Sequence, residues 1–83
     1  LGRYEEAIES FDKAIAIKPE DPSAWYNKSC LYALQNQLES ALTHLQQAIK
    51  LNPEKYRDMA RSDSDFDNIR KSDRFQALIN TTK

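Results

Sequence analysis

Pro19 and Pro53 stand 34 residues apart, and each closes a segment carrying the same apolar stripe. Ahead of the first proline, Tyr4, Ala7, Ile8, Phe11, Ala14 and Ile15 recur at intervals of three and four. Ahead of the second, Leu38, Ala41, Leu42, Leu45, Ala48 and Ile49 occupy the corresponding places, and Glu5 pairs with Glu39 as Ile17 does with Leu51. That spacing puts each set on one side of a helix. The intervening polar positions vary freely, as those of a solvated face do. An amphipathic stripe that returns at a fixed interval with its terminating proline is a repeat. One such unit cannot cover its own stripe, so the chain must fold by laying one unit against the next.

The segment between the two stripes reads as a helix that pairs with them. In "KPEDPSAW", Pro19 cannot continue a helix, Asp21 is a good N-cap and Pro22 suits the first helical position. A helix from about Pro22 to Leu34 follows, with Ala24, Trp25, Leu31 and Tyr32 apolar. Asn36 in "QNQ" is a residue that tolerates the left-handed conformation, and a third helix runs from about Leu38 to Leu51. One glycine and three prolines in 83 residues agree with long helices rather than a turn-rich β fold.

These residues resemble the tetratricopeptide repeat (TPR). The family pattern W-x2-L-G-x2-Y, then A-x3-F, then P is met by Trp25, Tyr32, Ala41, Leu45 and Pro53, with Ala7, Phe11 and Pro19 from the preceding half-repeat. Lys28 and Ser29 replace the usual Leu-Gly, and Leu45 replaces Phe. Ser29 is small enough for a close helix crossing, whereas the stem of Lys28 must lie along the helix pair with its charge at the edge. The resemblance covers residues 1 to about 61. It implies an all-α fold of antiparallel helix-turn-helix repeats stacked as an α-solenoid, ending in a shortened capping unit. Residues 1–19 are then the second helix of an incomplete repeat, 20–53 a complete repeat, and 54–83 a degenerate terminal repeat with a capping helix.

After Pro53 the pattern decays. Met59 and Phe66 stand 34 residues after Trp25 and Tyr32, but "DFDNIRKSDRFQALIN" replaces the regular partner helix. Ser72 or Asp73 can cap a last short helix bearing Phe75, Leu78 and Ile79. This ending is similar to the abbreviated closing unit of bacterial TPR proteins. It reads as the C-terminal stretch of a longer protein, since the chain opens on "LGRYEEA" already inside a helical pattern.

Composition excludes several functional classes. Twelve basic and 13 acidic residues give a formal charge of −1, far from the basic footprint that phosphate neutralisation needs, so nucleic acid is not expected. No apolar run approaches the ~20 residues of a membrane span. Cys30 is the sole cysteine, which rules out an internal disulfide and suits a reducing compartment such as the cytoplasm. No phosphate loop can be built on Gly2 alone, and no cofactor or metal is expected. His44 stands on the polar side of the third helix with no nucleophile or ligand partner at a useful spacing, and Cys30 reads as a packing residue. Asp63, Asp65 and Asp67 alternate as in a calcium loop, but Asn68 stands where glycine is needed and Arg74 where a bidentate glutamate is needed. The aspartates read instead as caps of the terminal unit, and Trp25, Tyr32 and Met59 as core. Catalysis is not expected.

The TPR resemblance implies a binding module. In such stacks the first helix of each pair lines a concave groove that takes an extended peptide or a partner helix. Here that face comprises Ser23, Tyr26, Asn27, Cys30, Ala33 and Leu34, then Arg57, Ala60, Arg61 and Ser64. Some TPR domains that bind heat-shock chaperones clamp a C-terminal carboxylate, and Asn27, Arg57 and Arg61 match three parts of that clamp. The expected peptide-binding residues are therefore Tyr26, Asn27, Cys30, Leu34, Arg57 and Arg61. Two alternatives stand beside this: the arginines are solvated charges, or the segment only closes a superhelix whose binding happens upstream. Finally, Tyr4, Ile8, Phe11 and Ile15 lack a partner helix on one side, which implies self-association or helix swapping of this chain.

Overall fold

The computed structural model describes residues 2–80, which form five α-helices and one 3₁₀ segment, with no strand among them. Helix α1 (Gly2–Ile17) ends ahead of Pro19. A turn closed by the Asp21 amide on the Lys18 carbonyl (3.1 Å) leads into α2 (Pro22–Leu34). Asp21 caps α2 from extended backbone, its Oδ1 accepting from the Ser23 amide at 3.0 Å and the Ser23 hydroxyl at 2.8 Å, with Pro22 at the first helical position.

At the other end of α2, Asn36 takes φ 61°, the Gln37 amide reaches back to the Tyr32 carbonyl (2.9 Å), and the Asn36 amide reaches the Ala33 carbonyl (3.0 Å). This pair of bonds is a Schellman motif, and it needs a left-handed residue at Asn36. Helix α3 (Leu38–Leu51) follows, and α4 (Pro53–Ser62) begins at the second proline after a single linking residue, Asn52. The 3₁₀ segment (Ser64–Ile69) and α5 (Asp73–Asn80) complete the chain. Of the two candidate caps, Ser72 serves α5, its hydroxyl accepting from the Phe75 amide at 3.3 Å.

The helices stack as antiparallel hairpins. Helix α2 packs most extensively on α3, while α1 and the 3₁₀ segment lie against α2, and α4 and α5 lie against α3. At the α2–α3 crossing Ser29 is fully buried, and its hydroxyl donates to the Ala41 carbonyl at 2.6 Å. The serine thus fills a place where glycine would suffice and satisfies its own polar atom. Lys28 is buried along its stem, as its sequence neighbours imply, and its ammonium pairs with Asp12 of α1 and lies 5.8 Å from the centre of the Tyr32 ring.

One contiguous core runs from Tyr26, Cys30 and Ala33 of α2 through Ala41, Leu42, Leu45, Ala48 and Ile49 of α3. It continues into Tyr56 and Ala60 of α4, then Phe66, Ile69, Phe75 and Ile79. Trp25 and Tyr32 pack half-buried at its edge, with the Trp25 indole N–H donating to the Pro19 carbonyl at 2.8 Å. Two expectations change here. Met59, expected in the core, is exposed, because α4 and α5 are only 10 and 8 residues long and do not rebuild the corner that Trp25 and Tyr32 help fill. His44 is not on a solvated face: it is half-buried, its ring 5.6 Å from Trp25 and 5.1 Å from Tyr32, with Nδ1–H on the Ser40 carbonyl at 2.7 Å.

Phe66 is wholly buried, with ring contacts to Tyr26 at 5.7 Å and Phe75 at 5.3 Å. Phe66→Ala is expected to cost about 3–5 kcal/mol in urea unfolding; a loss under about 1 kcal/mol contradicts its role as the keystone of the terminal unit. Lys28→Met keeps the buried stem and removes the desolvated charge, leaving Asp12 free to face water. It is expected to be neutral or stabilising by up to a few kcal/mol in the same measurement.

Candidate functional site

The inner face is built from α2 and α4. Helical spacing brings Tyr26, Asn27, Cys30 and Leu34 to one side of α2, and Arg57 and Arg61 to one side of α4. The 3₁₀ segment follows a bend at Asp63, whose Oδ1 accepts from the Asp65 amide at 3.0 Å and starts the tighter turn. That bend carries the chain back against α2 instead of letting α4 run on.

The bend changes what the face displays. Tyr26 and Cys30, expected on an open groove wall, are instead buried, at 2% and 6% exposure. They lie beneath Asp63 and Phe66: the Tyr26 hydroxyl donates to Asp63 Oδ2 at 2.7 Å, the Cys30 thiol lies 3.7 Å from the same oxygen, and the Tyr26 ring contacts Tyr56 at 5.1 Å. Asn27 remains exposed and Leu34 is half-buried. The two arginines are occupied as well. Arg57 Nε donates to the Leu78 carbonyl at 3.3 Å, and Arg61 donates to the Ile79 carbonyl at 2.9 Å while pairing with Asp58. They serve the orphan carbonyls at the end of α5, where positive charge also complements the helix dipole. Four of the six expected residues are thus engaged by the chain's own residues 63–79.

A further arginine, which sequence reasoning did not single out, completes this arrangement. Arg70 donates to the carbonyls of Ala60 (3.2 Å), Arg61 (2.8 Å) and Asp63, closing the C-terminal end of α4, and its Nε reaches Asp67 at 3.2 Å. Nothing in residue spacing marks it, since its partners are backbone atoms. Cys30, Asp63 and Asp65 also gather their ligand atoms within 4.8 Å. Asp63 Oδ2 there accepts from both the Tyr26 hydroxyl and the Cys30 thiol.

The electrostatics of this cluster disfavour reactivity. Burial, then the charges of Asp63 and Asp65, pushes the Cys30 thiol far above its ordinary range, so the reactive thiolate is suppressed. Burial, then the hydrogen bond to Asp63, likewise pushes the Tyr26 phenol up. The Asp65 carboxyl is raised by burial and by its neighbours Asp63 and Asp67. Tyr26 and Cys30 both belong to the core cluster. His44 packs against the Trp25 and Tyr32 rings.

Comparison with known proteins agrees with the architecture. A model of the TPR repeat matches residues 1–28, and a model of the tetratricopeptide repeat matches residues 22–55. The chain is similar to a chloroplastic protein of Arabidopsis thaliana, 38% identical over 94% of this chain and 24% of that protein. It is similar to "Tetratricopeptide repeat protein 36" of Caenorhabditis elegans, 47% identical over 59% of this chain and 27% of the relative. It also resembles a "TPR repeat-containing thioredoxin" of Arabidopsis thaliana, 33% identical over 63% of this chain but 8% of the relative. The chain thus spans about a quarter of the length of the first two relatives. These relatives come from a plant and a nematode, and lend no support to a bacterial type. No solved structure matches significantly. No helix among the described residues is long and apolar enough to cross a membrane. Two adjoining repeat models over residues 1–55 and an all-helical stack of antiparallel hairpins make this chain a member of the tetratricopeptide repeat family.

Proposed function

We propose that this chain is a protein-interaction module that takes an acidic peptide or partner segment on the inner face of α2 and α4. Tetratricopeptide repeats generally mediate contacts between proteins and generally do no catalysis themselves, which is the ground for the class of function. One observation carries the finer reading: Arg57 and Arg61 stand side by side on α4, and both engage the oxygen-rich end of a chain segment, that of α5. Guanidinium groups that hold neutral carbonyls bind carboxylates more strongly, because the hydrogen bonds become charge-assisted on both sides. Exposed Asn27 and half-buried Leu34 supply the adjoining contacts, and Tyr26 and Cys30 form the floor. In this reading residues 20–53 are the complete repeat, 1–19 a half-repeat and 54–83 the terminal unit.

The occupancy of these same residues favours a second reading. In it, residues 54–83 close a longer superhelix as its C-terminal cap, and binding lies upstream. The two readings separate in a titration of acidic peptides against the wild-type chain, Arg57→Ala and Arg61→Ala. The groove reading expects each substitution to weaken binding by about 1.5–3 kcal/mol, the worth of a hydrogen bond to a charged group. Unchanged affinity in both variants leaves the cap.

Self-association is proposed on separate grounds. The stripe of α3 is buried, whereas in the equivalent stripe of α1 Tyr4 is exposed and Ile8, Phe11 and Ile15 are only half-buried. A second copy can lay a helix on it. Light scattering is expected to show a mass that rises with concentration, and Phe11→Glu is expected to abolish the rise. A strict monomer at every concentration removes this proposal.

A further inference from the structure

We propose that copies of this chain associate head to tail, the α1 face of one copy seating on the exposed Leu51 and Met59 of the next. The inference rests on the self-association reading above and names the surface of the second copy that fills the α1 face. Among the described residues, the exposed large apolar side chains fall into two pairs. Tyr4 and Ile17 belong to α1, Leu51 ends α3 and Met59 lies on α4. The chain's own repeat shows what kind of helix such a corner receives. Trp25, the residue 34 places before Met59, packs on His44 of α3 with ring centres 5.6 Å apart. Helix α1 carries the stripe of α3, so it is a helix of the type that packs at this position.

Charge selects the tail of a second copy over its α1. Helix α1 holds four acidic and two basic residues, whereas residues 50–62 hold four basic and two acidic. Exposed Glu5, Glu6 and Glu9 lie on α1, Lys50 adjoins Leu51, and Lys55 stands one helical turn ahead of Met59. None of these five charges enters an ion pair among the described residues, so all are available to a partner. Setting α1 on α1 brings two acidic helices together, and like charges face to face oppose that contact. Setting α1 on Leu51 and Met59 brings acidic to basic. The two surfaces differ and belong to different helices, so the contact is heterologous and each added copy presents a fresh face to the next.

Two double variants confined to exposed positions test this. Tyr4→Gln with Ile17→Gln removes the head, and Leu51→Gln with Met59→Gln removes the tail, since glutamine keeps helix propensity and adds no charge. In sedimentation equilibrium the wild-type mass is expected to pass that of a dimer as concentration rises. Each variant alone is expected to associate at least about tenfold more weakly. An equimolar mixture is expected to regain the wild-type affinity and to stop at one dimer, because one variant supplies an intact tail and the other an intact head. Raising salt from about 0.05 M to about 0.5 M is expected to weaken the wild-type association at least about threefold. A tail variant that associates like wild type overturns the proposal and leaves α1 meeting α1, and so does a wild-type mass that levels off at the dimer. A wild-type chain that stays monomeric at every concentration removes self-association itself.

Discussion

The close crossing of α2 and α3 is the constraint on which the rest of the molecule depends. Ser29, Ala33, Ala41 and Ala48 are fully buried, so the two helices meet through small side chains. The serine hydroxyl ends on the Ala41 carbonyl, which spares the interface an unsatisfied donor. With the backbones this near, the larger groups have to reach outward. Leu45 and Ile49 fill the next layer from α3, and Tyr26 fills it from α2, so that α4, the 3₁₀ segment and α5 meet a continuous apolar surface. A β-branched or aromatic residue at position 29 would separate the pair and undo each later contact.

Equivalent sequence does not mean equivalent environment. The α1 and α3 stripes match position by position, yet α3 contributes five residues to the core cluster and α1 contributes none. The difference lies in their neighbours. Helix α3 is packed by α2, α4 and α5, whereas α1 rests chiefly on α2. Part of what joins α1 to the stack is polar, the Lys28–Asp12 pair, in which Lys28 is almost wholly desolvated and Asp12 half exposed. Such a pair supplies registration more than stability, since the cost of drying the ammonium offsets much of the attraction.

Charge in the terminal unit is directed at backbone oxygens. Arg57, Arg61 and Arg70 aim donors at five main-chain carbonyls near the ends of α4 and α5. Short helices leave a high proportion of carbonyls without helical partners, and these arginines meet part of that need.

Much of the architecture was legible because it rests on local rules. The bounds of α2 and α3 follow from Asp21, Pro22, Asn36 and Pro53, whose backbone preferences act within a few residues. The spacing of the α3 stripe marked it as one side of a helix. The inner face was harder to read. Tyr26 and Cys30 stand at groove positions by phase, and only the bend at Asp63, 33 residues or more away in the chain, decides that they are covered. His44 reads as a polar residue on a polar face, and its place between Trp25 and Tyr32 emerges only when two helices are laid together. By itself the sequence determined the helices, their caps and their repeat, since these depend on neighbours along the chain. Which stripe is buried, which arginine is free and whether the groove lies open were decided by tertiary structure alone, because burial and pairing depend on what a distant segment brings into contact.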